Sequence, residues 1–239
     1  MSITEGALLN GRLRYQQFAT GHRSGFEPVL LAAAVAAQAG DFVLEAGTGA
    51  GAALLCLSAR LPGIRGVGVE IDQATSRLAE ENFKINGFDV EVVNGDIRHL
   101  PFHQSFDHVM ANPPWHNAKG TASPDDKRAL AHHALPGLLS DWIGALSVML
   151  KPRGSIALII PAAQFAEAAA SLRSGHCGDI ALFPLWPRAG QAAKQVIVTA
   201  RRNARGGDRI WSGLILHDES GLTAAAEAVL REGAALTLA

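Results

Sequence analysis

Asn112, Pro113, Pro114 and Trp115 follow directly on the apolar run Phe106-Asp107-His108-Val109-Met110-Ala111. Two prolines cannot extend a strand ladder, so the chain must leave the sheet there and display Asn112 and Trp115 at the strand's carboxyl end. Open α/β sheets bind their ligands at that edge. The Asn112 amide oxygen and the Pro113 carbonyl can accept both hydrogens of a planar exocyclic amine, while the Trp115 indole stacks on the ring that carries it. The competing reading is a Pro-Pro turn with a locally capping Asn and a core-filling Trp.

Three further carboxylates fall at strand ends upstream. Glu45 precedes the turn Gly47-Thr48-Gly49-Ala50-Gly51, in which the glycines let backbone approach a ligand and tolerate positive φ. A pyrophosphate at this turn would be repelled by Glu45, whereas a cofactor bearing an amino group and a sulfonium suits it. Glu70 closes the next apolar run, where a carboxylate can accept from both hydroxyls of a ribose. Asp72 beside it reads as a helix cap. Asp96 follows the third run, and a loop Asp that turns the chain is its plain alternative.

The elements that must hold these residues alternate. Strands are expected at 42–46, 66–71, 90–94, 106–111, 155–160, 180–186 and 195–199, and helices at 27–38, 52–60, 73–86, 138–150 and 163–174. The order implies an α/β fold, a doubly wound, mostly parallel seven-stranded sheet of Rossmann-like type. The turn-like stretch 187–191 makes the last two strands an antiparallel hairpin, with the final strand returning between earlier ones. A short strand candidate at 210–217 and a closing helix at 222–231 complete the chain, and residues 116–133 form one long polar loop. A single domain over 1–239 is expected: a leading segment with the first helix (1–41), a cofactor half (42–111) and a substrate half (112–239).

The chain of 239 residues is 48% hydrophobic and 18% charged, enough to bury a core without disulfides. Cys56 and Cys177 read as reduced structural thiols, and no Cys/His grouping has metal-ligand spacing, so no metal is expected. No apolar run is long enough to span a bilayer and the start lacks an export signal, which makes the cytoplasm the expected compartment. The net charge of −1 conceals a gradient of −4 over 1–111, +6 over 112–205 and −3 over 206–239. The basic middle is either a solvated face or a surface for RNA. The sequence does not fix an oligomeric state.

The glycine turn with its flanking carboxylates resembles that of class I S-adenosylmethionine-dependent methyltransferases. By this resemblance S-adenosylmethionine is the cofactor, Asp96 reads its adenine amine, and Ile71 and Ile97 sandwich the adenine ring. The Asn-Pro-Pro-aromatic motif is similar to those of enzymes that methylate adenine 6-amino groups, guanine 2-amino groups in ribosomal RNA, or the glutamine amide of release factors. The last carry a helical domain before the turn, for which the 41 residues ahead of Phe42 are too few.

Tyr15-Gln16-Gln17-Phe18, the stretch Gly21-His22-Arg23-Ser24-Gly25-Phe26-Glu27-Pro28, and the late run from Pro187 to Val196 resemble the bacterial tRNA adenine 6-amino methyltransferases that act on valine tRNA. That family implies a tRNA partner and a loop in which Arg23, Ser24 and Gly25 contact cofactor or close the pocket. Trp115 stands where the family usually has Tyr. With Pro114 and Trp115 at the base, Lys119, Lys127, Arg128, Arg188, Lys194, Arg201 and Arg202 are the candidates for phosphate contacts. A non-enzymatic alternative is a degenerate module that only binds the cofactor.

Overall fold

A computed structural model of the chain describes residues 2–20, 25–114 and 137–237. It opens with a hairpin, β1 (Ile3–Leu8) and β2 (Leu13–Phe18), followed by α1 (Glu27–Ala34), β3 (Phe42–Ala46), α2 (Ala52–Arg60), β4 (Arg65–Glu70), α3 (Gln73–Ile85), β5 (Val90–Asn94) and β6 (Phe106–Ala111). Then come α4 (Leu138–Met149), β7 (Leu150–Pro161), α5 (Phe165–Ser174), β8 (Cys177–Arg188), β9 (Gln195–Arg202), β10 (Arg209–Ile210), β11 (Leu214–His217) and α6 (Ala224–Leu230).

The central sheet runs β10-β8-β9-β7-β6-β3-β4-β5, with β11 also on β8. All its pairs are parallel except those of β9, which lies antiparallel between β7 and β8. The seven expected strands are thus its body, and the 210–217 candidate divides into two short strands that extend the outer edge. The β1/β2 hairpin is a separate two-stranded sheet ahead of the expected strands.

Alternation along the strands builds two cores, one on each face. Val43, Met110, Ala157, Ile159 and Ile197 face α1, α2 and the hairpin. Leu44, Ala46, Val109, Leu158 and Ile160 face Ile143, Leu146 and Met149 of α4 and Leu172 of α5. Helix α1 stops at Ala34, four residues before its expected end at 38. The Arg60 guanidinium donates to the carbonyls of Ala32 and Val35, satisfying the terminal acceptors there.

Candidate functional site

Strand register sets the site. Ala46 pairs with both Val69 and Ala111, and Glu70 pairs with Asn94. Gly47, Glu70 and Asn112 therefore leave adjacent strands at one level of the carboxyl edge, about 5 Å apart per strand. Asp96 follows two residues beyond the end of β5.

The glycine turn is framed from behind. Glu45 is 4% exposed, and its Oε2 accepts from the Thr48 hydroxyl at 2.7 Å and from the Leu54 N–H at 3.0 Å. Burial pushes its pKa up to about 8, against the lowering effect of those two bonds. Its first role is thus to brace the turn against α2, a more internal position than the sequence suggested. Gly47, Gly49 and Gly51 all have positive φ. A Cβ at Gly47 would lie 2.8 Å from the Trp142 ring of α4, and one at Gly51 would lie 2.9 Å from the Phe83 ring of α3. At Gly49 a Cβ would meet nothing within 4 Å among the described residues, which leave that face of the turn open.

Glu70 stands half-buried beside the turn. Its Oε2 accepts from the Gly49 N–H at 3.0 Å and its Oε1 from the Asp72 N–H at 2.9 Å. Each carboxylate oxygen has a second lone pair for a hydroxyl. Asp72 caps α3 by accepting from Thr75, as its position implied. Ile71 is 62% exposed at the strand tip, an apolar surface suited to a flat base. Its expected counterpart Ile97 is instead 3% exposed and packed into the core beneath α4, because it opens a 3-10 turn whose first side chain points inward. The sandwich of Ile71 and Ile97 about one ring is therefore not formed.

Asp96 is held by Arg98: Nε donates to Oδ1 at 3.0 Å and to Oδ2 at 3.1 Å, and Nη2 donates to Oδ2 at 2.6 Å. The Arg98 guanidinium keeps the Asp96 carboxyl below its ordinary range. An adenine amine would find this carboxylate ionised, but would have to displace part of the guanidinium.

Asn112 is half-buried, Pro113 buried and Pro114 half-buried. The Asn112 Oδ1 is a buried acceptor with no hydrogen-bond donor among the described residues. Such an atom costs roughly 1–3 kcal/mol unless a ligand supplies a donor. The open face at Gly49, the tethered Glu70 carboxylate, exposed Ile71 and this orphaned acceptor fit a nucleoside with an amine acceptor alongside.

Gly25 is exposed beside Glu27, whose Oε1 accepts from Gln195 Nε2 at 3.1 Å. Because Gln195 pairs with Pro161 at the carboxyl end of β7, this contact brings the start of α1 to the same rim. Lys194 is exposed there, and Arg188, also at that edge, donates to the Asp218 carbonyl. Arg201 and Arg202 differ. Strand β9 runs against its neighbours, so they end at the amino edge, about 20 Å from the rim. Arg202 Nη1 donates to the carbonyls of Ser147 and Gly175, and Arg201 to the Arg153 carbonyl. They do not join the other candidates. Arg23, Ser24, Trp115, Lys119, Lys127 and Arg128 lie outside the described residues.

Two site residues were not anticipated. Trp142 covers Gly47, and nothing in the sequence distinguishes it from a core aromatic. Asn82 is fully buried on α3: its Oδ1 accepts from the Gln16 N–H, and its Nδ2 donates to the carbonyls of Gln16 and Ala50. It ties β2 to the glycine turn. The available signal was a pair of polar residues, Asn82 and Asn86, on the apolar stripe of an amphipathic helix.

A family model described as a methyltransferase domain matches residues 43–134. A relative from Porphyromonas gingivalis named "tRNA1(Val) (adenine(37)-N6)-methyltransferase" is 34% identical over 150 residues. The match spans 58% of this chain and 58% of that relative, so just over half of its length is covered. A relative of the same name from Aeromonas hydrophila is 29% identical over 222 residues, 89% of this chain and 92% of its own length. Among solved structures, a predicted O-methyltransferase from Agrobacterium tumefaciens is 25% identical with a TM-score of 0.73, covering 87% of this chain and 97% of that one.

Proposed function

Since the chain belongs to the class I S-adenosylmethionine-dependent methyltransferases, we propose that it moves the methyl group of that cofactor to the 6-amino group of an adenine in tRNA, as a single cytoplasmic domain. The observation that carries this reading is the buried Oδ1 of Asn112, which has no donor among the described residues, at the rim beside the glycine turn. The names of the relatives from Porphyromonas gingivalis and Aeromonas hydrophila support the choice of acceptor.

Glu70 would accept from the ribose hydroxyls and Asp96 from the adenine amine after Arg98 yields. Ile71 would lie against the base, with Glu45 and Thr48 behind the turn Gly47, Gly49 and Gly51, and Arg23, Ser24 and Gly25 closing over it. When bound, S-adenosylmethionine supplies a methyl group already activated by its sulfonium. The protein's task is orientation. Asn112 Oδ1 and the Pro113 carbonyl accept the two N–H bonds of the acceptor amine, which favours a pyramidal, partly positive nitrogen over the flat, delocalised one. Pro114 and Trp115 hold the base, which must be splayed out of its stack. The surplus proton leaves to water, and no side-chain base is required. Arg188 and Lys194 on the rim, with Lys119, Lys127 and Arg128, would meet backbone phosphates.

The test is incubation of the purified chain with S-adenosylmethionine and unmodified tRNA, followed by digestion and nucleoside mass spectrometry. N6-methyladenosine is the expected product. N2-methylguanosine, or methyl on protein alone, would overturn the assignment.

A further inference from the structure

Four arginines from the basic middle of the chain are gathered at the opposite edge of the sheet. Arg153, Arg201, Arg202 and Arg205, with Asp179, Asn203 and Ala204, line a groove of about 330 Å3. Of the acidic groups nearby, Asp179 is paired with Arg209 and Asp208 with Arg173. The four groove arginines have no carboxylate partner among the described residues.

Arg202 is half-buried and spends Nη1 on the Ser147 and Gly175 carbonyls, so it contributes field more than contact. Arg153, Arg201 and Arg205 are exposed. Arg153 is held at φ 69, a conformation that suits glycine and that L side chains rarely adopt.

We propose that this groove is a second contact for the phosphate backbone of the RNA substrate, on the edge of the sheet away from Asn112. The inference rests on the RNA reading above. Guanidinium forks match phosphate oxygens, and the groove lies about 20 Å along β9 from the rim. A ligand held at both edges must therefore be an extended polyanion, which an intact tRNA is and a free nucleotide is not.

The experiment measures binding of unmodified tRNA, and of a short stem-loop carrying the target adenine, at several salt concentrations. It compares the wild type with Arg153→Gly, Arg205→Ala and the double variant. Arg231→Ala, in an exposed pair with Glu227 on α6, serves as control. Glycine fits φ 69, so Arg153→Gly should fold at least as stably as wild type, and any weakened binding is not misfolding.

The double variant should bind whole tRNA roughly tenfold more weakly, with the slope of log affinity against log salt shallower by about one per arginine removed. Binding of the stem-loop should match wild type. Unchanged tRNA affinity and slope in the double variant would overturn the proposal, as would an equal loss on the stem-loop or in Arg231→Ala. If wild type makes no N6-methyladenosine in tRNA, the functional reading fails; if it does and the groove variants bind tRNA as wild type does, only this inference fails.

Discussion

Asn112 and Glu70 were legible at the level of single residues because each ends an apolar run, and strand ends share one edge of a parallel sheet. Neighbouring side chains were less legible. Nothing in the spacing of Asp96 and Arg98 indicates that the guanidinium folds back on the carboxylate in three hydrogen bonds. Ile97 looked equivalent to Ile71, yet the 3-10 turn sends it inward. Glu45 offers a test of its buried setting. Its pKa rises from 4.5 to about 8, chiefly by desolvation, so between those values the folded chain holds a proton that the unfolded chain has released. Stability should therefore fall as pH rises from about 4.5 to about 8. Glu45→Gln removes this titration, and its melting temperature should vary less than that of wild type across the window. Parallel curves for the two proteins would count against the buried carboxyl.

At the scale of elements, the central strands and helices followed from apolar periodicity and Gly/Pro punctuation, including the antiparallel return of β9. The docking of the N-terminal hairpin did not, since it depends on side-chain amides standing in for a strand. Asn86 holds the Arg14 N–H and carbonyl, and Asn82 holds those of Gln16 together with the Ala50 carbonyl of the glycine turn. Truncating Asn82 to Ala leaves buried backbone groups unpaired, at a cost of about 2 kcal/mol or more. Both Asn82→Ala and Asn86→Ala should lower the melting temperature. Affinity for S-adenosylhomocysteine, read by calorimetry, should fall in Asn82→Ala and hold in Asn86→Ala. Equal losses would mean that the hairpin acts on the whole fold rather than on the turn.

Across the whole molecule, the proposed site and the proposed phosphate groove fall on opposite edges of the sheet. The basic middle of the chain was visible as a charge gradient, but its division between edges was not. Lys194 and Arg201 are close in sequence, yet β9 carries them to opposite ends of the sheet. Topology, rather than composition, decides which cations stand at the carboxyl edge. The proposed chemistry lies at the carboxyl edge, where the buried Asn112 amide oxygen leaves the sheet beside the glycine turn. Single-turnover methylation of unmodified tRNA by wild type and Asn112→Ala tests that arrangement most directly. The variant should be slower by about 100-fold or more, the scale of losing one preorganised acceptor of the transition state, with N6-methyladenosine as the wild-type product. A variant that methylates adenine as fast as wild type would contradict the account.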